Sequence, residues 1–388
     1  MSKLEELIQQ YCPDGVEWKA LGEATIMKRG TSVTKGIMQE GNIPVISGGR
    51  QPAFYCNVSN RTGEVITVAG SGAGAGYVQY WNEPIFVCDA FSIQGNETLK
   101  TKYVYYILTN IQEKIYSTKK GGGVPHVHIS SIEKFEIPVP PLPVQEEIVR
   151  ILDNFTELQA ELQAELQKRI QQYNYYRDNL LSDFTPEQEP KECTLEEITT
   201  DIYSGATPSK EKRDYWENGT IPWMSSGEVN LGQVYEVEGR ITQLGYDKCS
   251  TRMVPEGSVV IALAGQGKTR GTVAILRTSV CTNQSLAALV PNPDIVSGEY
   301  LYYYLKTQYS KLREVSSGDG TRGGLNLKML RSYKVIVPSL KTQTQIVAIL
   351  DRFETLTNDL SAGLPAEIEK RRQQYEFYRD KLLTFKRK

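Results

Sequence analysis

The sequence predicts an α+β (mixed α/β) protein, in which two similar globular domains are joined by two long antiparallel helices with an internal pseudo-two-fold duplication. Two observations support this prediction. Apolar residues recur every three or four positions from Ile148 to Tyr173 without Gly or Pro in residues 145–182, which indicates one helix roughly 55 Å long at about 1.5 Å per residue. Residues 139–155 are also repeated at residues 337–353. Because an apolar stripe of this length needs a partner, we expect the two helices to pair.

The duplication covers both halves of the chain. Ile148 and Phe155 match Ile346 and Phe353, each 198 positions later, and the helix ends share the motif YxxYRDxLL. Residues 41–49, 64–78, 103–108 and 173–181 match residues 219–227, 259–273, 300–305 and 375–383. A repeat this long indicates a domain that was duplicated together with its helix, since solenoid repeats are far shorter.

Each copy is expected to contain short β-rich segments, Gly/Ser loops and one Tyr-rich helix, near residues 103–116 and 300–313. A strand running into Val-Pro then ends the globule, because proline disfavours continuation into the helix. The predicted parts are residues 1–142 (first globular domain), 143–184 (central helix), 185–340 (second globular domain) and 341–388 (C-terminal helix).

The second long helix departs from the first. It carries four extra residues and the segment SAGLP at residues 361–365, whose Gly and Pro should kink or break it. The final FKRK could contact DNA phosphate or an acidic partner, or be a solvated tail.

Composition limits the class of protein. The 388 residues are 40% hydrophobic, include 23 Tyr, and contain no apolar run near the ~18 residues of a membrane span. Six Cys without a CxxC pair predict reduced thiols in a cytoplasmic protein, with neither a disulfide framework nor a zinc site. The net charge of −2 does not by itself predict nucleic-acid binding, so any DNA contact must depend on local basic loops or on partner subunits.

Three motifs suggest other chemistry and are better explained structurally. AGQGKT at residues 264–269 lacks the first Gly of a phosphate loop, since Ala262 stands there, and a predicted strand follows instead of a helix. GSGAGAG at residues 70–76 is also followed by a strand, so its glycines indicate close approach of two backbones, or of a backbone and a ligand. Both copies keep Gly here, which suggests a shared geometric need. His126 and His128 could form a metal pair on one face of a strand, but the second copy supplies no further ligands and loop histidines are favoured. We expect no catalytic and no metal site.

The repeated strand–Val-Pro–Gln–Ile–Leu-Asp-Phe segment, with the closing YxxYRDxLL motif, resembles the specificity subunit of type I restriction-modification systems over essentially the whole chain. The resemblance implies a non-catalytic subunit whose two target recognition domains each read one half of a bipartite, asymmetric site in double-stranded DNA. It also implies that the helices set the spacing and dock two modification subunits, which methylate adenine, and that restriction subunits join the complex. S-adenosylmethionine, ATP and Mg are then expected in the partner subunits, with no cofactor in this chain and no membrane partner.

DNA contacts are expected from polar and basic loops, because Arg can read guanine with two hydrogen bonds and Lys mostly holds phosphate. The candidates are Lys28, Arg29, Ser47, Arg50, Ser71, Lys119 and Lys120 in the first copy, and Lys210, Ser225, Ser226, Lys268, Arg270 and Arg322 in the second. For each of them a solvated surface residue is the alternative. The residues expected to pair the helices are Ile148, Leu152, Phe155, Leu162, Leu166, Ile346, Leu350 and Phe353.

Two rival functions stay open from the residues. A duplicated coiled-coil scaffold or adaptor without sequence-specific DNA binding explains the helices but not two globules with basic Gly-rich loops. A single-chain methyltransferase or nuclease would need a cofactor loop and a catalytic tetrapeptide, and the sequence contains neither. The tetrapeptide ELQA, repeated almost three times at residues 157–167, is either a ruler that sets the spacing or simply good helix-forming sequence.

Overall fold

The computed structural model describes residues 2–36, 38–121, 123–265, 269–316, 324–358 and 363–388. The chain divides into two compact units, Met1–Ala164 with Ala366–Lys388, and Glu165–Pro365. The first unit is therefore built from two separate stretches of sequence, and the second from one.

The first globule contains α1 (Lys3–Tyr11), β1 (Glu17–Ala20), α2 (Leu21–Ala24), β2 (Ile26–Arg29), β3 (Ile43–Ile46), β4 (Phe54–Cys56), β5 (Val65–Ala69), β6 (Val78–Trp81), β7 (Phe86–Val87), β8 (Ala90–Gln94), α3 (Thr101–Asn110), α4 (Gln112–Tyr116), α5 (Ile129–Ile132) and β9 (Glu136–Val139). The long helix α6 (Leu142–Ser182) follows and contains the boundary between the units.

The second globule contains β10 (Lys191–Thr194), α7 (Leu195–Ile198), β11 (Thr199–Ser204), β12 (Ile221–Met224), β13 (Gln233–Val234), β14 (Arg240–Ile241), α8 (Gln243–Asp247), β15 (Met253–Val254), β16 (Val259–Ala262), β17 (Val273–Leu276), β18 (Val280–Thr282), β19 (Leu286–Pro291), α9 (Gly298–Thr307), α10 (Tyr309–Val315), α11 (Leu327–Arg331) and β20 (Lys334–Val337). The helices α12 (Leu340–Asn358) and α13 (Leu364–Leu382) end the chain.

The sheets show the duplication directly. The strand order β2–β8–β5–β6 in the first copy recurs as β11–β19–β16–β17 in the second, where β13 adds a fifth strand beside β17. A smaller sheet ordered β4–β3–β7 recurs as β14–β12–β18, extended by β15. A two-stranded sheet, β1–β9 or β10–β20, leads each globule into its long helix. The two copies thus share one topology, as the sequence repeat predicted.

The cores explain why these segments fold as they do. The β-branched strand VITVA (β5) is buried along its whole length between two neighbouring strands. Tyr103 and Tyr106 of α3 are fully buried in the same core as Ile148 and Leu152 of α6. In each unit the start of the long helix is therefore part of the core of the globule before it, since Ile346 and Leu350 occupy the same place in the second unit.

The Tyr-rich helix was predicted as one element, and this was wrong in both copies. It is divided at Ile111 into α3 and α4, and at Gln308 into α9 and α10. Ile111 has φ −101° and ψ 24°, outside helical values, so the chain turns before α4. After the turn, α4 buries Ile115 completely, and α10 buries Leu312 in the same way.

The predicted break in the second long helix is confirmed, because α12 and α13 are separate helices. Ser361 and Ala362 of the breaking segment lie outside the described residues. Pro365 is the second residue of α13, as Pro143 is of α6, and proline is tolerated there because first-turn amides have no intrahelical acceptor.

The C-terminal FKRK is not a solvated tail. The Val16 amide donates to the Lys386 carbonyl (2.9 Å), and the Lys388 amide donates to the Val16 carbonyl (3.0 Å). Arg387 forms an ion pair with Glu136. Within the part of the chain that the structure describes, no helix combines the length and apolar character needed to cross a membrane.

Candidate nucleic-acid interface

Three loops of the first unit meet on one surface. They are residues 47–50 after β3, residues 70–77 between β5 and β6, and the described residues 118–121 and 123–128 after α4. The Val127 amide donates to the Gly70 carbonyl, and the Gly72 amide donates to the Pro125 carbonyl, both at 3.0 Å. A Cβ at Gly48 would lie 2.2 Å from the Ser71 carbonyl oxygen, so only glycine allows the first loop this close to the second. We call residues 47–50, 70–77, 118–121 and 123–128 the three-loop surface.

The three-loop surface brings together five of the predicted DNA-contacting residues, Ser47, Arg50, Ser71, Lys119 and Lys120. Two of its cations lie over tyrosine rings. The Arg50 guanidinium is 4.9 Å from the centre of the Tyr77 ring, and the Lys119 ammonium is 4.1 Å from that of Tyr116. Such contacts hold a cation in place while it still faces solvent. The surface therefore presents orientated positive charge, the chemistry that phosphate and guanine require.

Sequence reasoning did not select Asp89, His126 or His128 as DNA contacts, although they lie on or beside the same surface. The Ser71 hydroxyl donates to the exposed carboxylate of Asp89, a residue 18 positions away in sequence. A carboxylate here can accept a hydrogen bond from the amino group of cytosine. The rings of His126 and His128 are parallel, with centres 6.0 Å apart, and the His126 backbone pairs with that of Lys120.

The two histidines do not lie on a strand, which corrects the expected geometry. His126 forms isolated backbone bridges, and His128 immediately precedes α5. Both are loop residues, as the favoured interpretation held. Among the described residues, no group of three or more His, Cys, Asp or Glu side chains could hold a metal ion.

The expected geometric need for glycine in both Gly-rich loops is confirmed. Gly76 and its counterpart Gly271 both have φ +82°, a left-handed conformation that other residues rarely adopt. Added Cβ atoms would lie 3.2 Å from a carbon of Tyr116 and 3.4 Å from a carbon of Arg313, respectively. This glycine therefore allows the Gly-rich loop to pack against α4 in the first unit and against α10 in the second.

Lys28 and Arg29 lie outside the three loops, exposed on the edge strand β2 of the four-stranded sheet. Arg29 pairs with Phe91 of β8, which also pairs with Val68 of β5, so Arg29 lies at the end of the sheet where the second loop begins, two strands away. The Arg29 carbonyl accepts a hydrogen bond from Arg61, so the backbone of this edge is partly covered.

The second unit holds its described candidates in separate loops. Ser225 begins a short 3₁₀ helix at residues 226–231, where its amide and hydroxyl both donate to Glu228 Oε2, at 2.7 and 2.8 Å. Ser226 is the first residue of that helix. The Arg270 carbonyl accepts from Arg313 Nη1. Lys268 and Arg322 lie outside the described residues, and so do residues 318–323 of the Gly-rich segment GDGTRGG (residues 318–324) that contains Arg322.

Lys210 is exposed at the mouth of an open cleft of about 600 Å³. Arg213, Trp216, Glu217 and Trp223 also line it, and the two indole rings meet edge to face with centres 5.1 Å apart. The first copy has no tryptophan in the corresponding stretch, so this cleft distinguishes the two globules.

The predicted helix-pairing residues fall into three groups. Ile148, Leu152, Ile346 and Leu350 are buried, Phe155 and Phe353 are half-buried, and Leu162 and Leu166 are half-buried near the boundary between the units. Phe155 contacts Tyr375 and Tyr378, while Phe353 contacts Tyr173 and Tyr176. Each unit thus pairs the first half of one copy's long helix with the last half of the other's.

A buried glutamine joins each globule to its helix. Gln145 Oε1 accepts from the Lys100 amide (2.9 Å), and its Nε2 donates to the carbonyls of Thr98 (2.9 Å) and Pro140 (2.7 Å). Gln343 makes the same set of bonds with Ser297, Ile295 and Pro338, each at 2.9 Å. These bonds fix the direction in which the long helix leaves each globule.

Comparisons with known proteins agree with this arrangement. The sequence profile of the type I restriction modification DNA specificity domain matches residues 13–172 and 188–370. The chain is 35% identical to the specificity subunit of a type I restriction enzyme of Escherichia coli, with 99% of this chain and 97% of that protein covered. It is 30% identical to a putative type I specificity subunit of Haemophilus influenzae, with 95% and 96% covered.

The fold is also similar to that of a solved structure. The S subunit of a type I restriction-modification system from M. genitalium superimposes with a TM-score of 0.62, at 19% identity and with 96% of this chain and 97% of that chain covered. The match extends over both copies of the domain. The chain belongs to the type I restriction-modification DNA specificity family and is the non-catalytic, DNA-recognising subunit of such a complex.

Proposed function

We propose that the chain reads a bipartite, asymmetric site in double-stranded DNA, one half with residues 1–142 and the other with residues 185–340. The three-loop surface supports this proposal most directly, because it combines two cations held over tyrosine rings with hydroxyl, carboxylate and imidazole groups. The second globule has the same strand order but different side chains in its loops. One framework carrying two different surfaces suits a site whose halves differ.

The residues take different roles in this proposal. Arg50 and Asp89 read base edges, Ser71 orients the Asp89 carboxylate through the hydrogen bond that it donates, and Lys119 and Lys120 hold phosphate. Ser47, Lys28 and Arg29 are further phosphate contacts of the first half-site. The second half-site is contacted by Lys210, Ser225, Ser226, Lys268, Arg270 and Arg322.

The helices α6, α12 and α13 set the spacing between the half-sites and dock two modification subunits. These subunits methylate adenine with S-adenosylmethionine, and restriction subunits that use ATP and Mg complete the assembly in the cytoplasm. The phosphate contacts are shared with these partners, because a chain with a net charge of −2 does not hold a DNA duplex alone.

Modified-base sequencing of DNA from cells that express the chain with its modification subunit tests the proposal. We expect a methylated motif with two half-sites and a fixed gap, which is absent without the chain. Arg50→Ala should relax or abolish recognition at one half-site only, with a loss of about 1–3 kcal/mol of discrimination at one base pair. Lys134→Ala removes an exposed cation of the first unit that lies outside the three loops, between two residues whose carbonyls bond to Leu21 and Gly22, and should leave the motif unchanged. A continuous motif, or an Arg50→Ala change in both halves, would contradict the proposal.

A further inference from the structure

A charged network joins α9 to α12 in the second unit. The Tyr303 hydroxyl lies 2.7 Å from both Asp351 Oδ1 and Glu354 Oε2. Lys306 Nζ forms an ion pair with Glu354 at 3.0 Å, and Gln233 donates to the same carboxylate. The charge of Glu354 is therefore balanced. Among the described residues, Asp351 has no cation within the 4.0 Å of an ion pair.

In the first copy, the equivalent aspartate forms an ion pair within the chain. Asp153, the counterpart of Asp351, accepts from the Tyr106 hydroxyl and forms an ion pair with Lys102 at 2.9 Å. The counterpart of Lys102 in the second copy is Glu299, so the cation is replaced by an anion. Glu299 is itself paired with Arg277 at 2.7 Å, which leaves Asp351 as one carboxylate in excess.

Asp351 faces an open cleft of about 550 Å³. Glu354, Arg277 and Gln233 also line this cleft. Leu231 and Tyr235, which are 61% and 69% exposed, line the same cleft. The cleft thus combines a carboxylate in excess with two exposed apolar side chains.

We propose that this cleft receives a lysine or arginine side chain from a modification subunit. The cation pairs with Asp351, as Lys102 pairs with Asp153 in the first unit, and its aliphatic stem packs between Leu231 and Tyr235. Lysine and arginine combine these two properties in one side chain. Phosphate would be repelled by the excess carboxylate, so this surface faces protein and not DNA. The inference rests on the proposed assembly with modification subunits.

Binding of the modification subunit to the full chain, measured by titration at low and high salt, tests the inference. Asp351→Asn keeps an acceptor for Tyr303 and removes the charge, and Tyr235→Ala trims an exposed ring. We expect each variant to weaken binding about tenfold, and Asp351→Asn also to reduce its salt dependence, as charge pairs across interfaces do. Asp153→Asn is the matched control, because its carboxylate already has a partner within the chain, and its dissociation constant should match that of the unchanged protein.

Thermal unfolding of each variant separates loss of binding from loss of fold. If the unchanged chain binds and Asp351→Asn stays within twofold of it, the inference is wrong while the proposed function stands. If the unchanged chain does not bind the modification subunit at all, the proposed assembly itself is wrong.

Discussion

The ring of Phe155 stacks on the ring of Tyr378, with centres 5.5 Å apart and planes 25° apart. Phe353 and Tyr176 form the equivalent pair in the second unit, at 5.7 Å and 29°. Each copy of the duplicated sequence therefore provides the phenylalanine of one unit and the tyrosine of the other. The two copies are joined by exchanging equivalent halves of their long helices, and this exchange suggests where the protein is sensitive to mutation.

Loss of the Phe155 ring should loosen the helix pair of the first unit. Phe155→Ala removes a half-buried ring with two aromatic neighbours, and we expect a loss of about 2 kcal/mol of unfolding free energy. Leu158→Ala, one turn further along α6 and 46% exposed, should cost under about 0.5 kcal/mol. Hydrogen exchange should accelerate in α13 and leave α12 unchanged. Equal effects of the two variants would show that the stacked pair does not hold the helices together.

The buried glutamines should matter more than their size suggests. Gln145→Ala leaves one buried amide and two carbonyls of the first unit without partners, and we expect a loss of about 2–3 kcal/mol in denaturant unfolding. Gln343→Ala should cause a similar loss of stability in the second unit. Gln167→Ala, at an exposed position of α6, is the control and should change stability little. A stability loss near zero for both buried glutamines would mean that water replaces their bonds.

Acid should weaken the start of α6 through Glu147. Hydrogen bonds from Arg150 and Lys3 lower the pKa of this buried carboxyl to about 2 from an ordinary value of 4.5. A depressed pKa stabilises the fold above pH 4.5, and that contribution is lost as the pH falls towards 2. Glu147→Gln should therefore destabilise the protein at neutral pH, with the difference shrinking below pH 4.5 in pH-dependent unfolding. Glu146→Gln, which alters an exposed neighbour paired with Lys100, is the control and should cost under about 1 kcal/mol at neutral pH.

The repeated ELQA segment should control the gap of the recognised site. The boundary between the units, at Ala164 and Glu165, falls inside this segment. One added tetrapeptide lengthens a helix by about 6 Å, which corresponds to one or two base-pair steps of about 3.4 Å. Modified-base sequencing should then show a longer gap with both half-sites intact. Replacing one ELQA by four other helix-forming residues should leave the gap as it was, and changed half-site bases with an unchanged gap would refute the ruler.

The sequence predicted those parts of the fold that local patterns specify. The apolar period from Ile148 to Tyr173 and the repeat itself were sufficient for the helices and the duplication. The turn at Ile111 was not predictable, since it depends on burying Ile115 in a core assembled from distant strands. The docking of the last residues on Val16 likewise depends on residues at opposite ends of the chain.

In the candidate interface, too, local patterns in the sequence indicated the loops but not the contacts between them. The Gly-rich segments indicated the loops, and the structure brings those of the first copy together. The placing of Arg50 over Tyr77 and of Ser71 beside Asp89 joins residues that are neighbours only after the sheet has formed. Lys28 and Arg29 were selected for charge alone, and charge does not reveal which edge of a sheet a residue occupies.

The split composition of the first unit has a consequence for synthesis on the ribosome. About 220 residues are synthesised between Phe155 and its partner Tyr378, which at about 5–20 residues per second takes roughly ten to forty-five seconds. The second unit, encoded by one continuous stretch, is complete when Pro365 leaves the exit tunnel. The half of the protein that is translated first is therefore finished last, and a nascent chain that stops early carries a bare apolar stripe that a chaperone or protease can recognise.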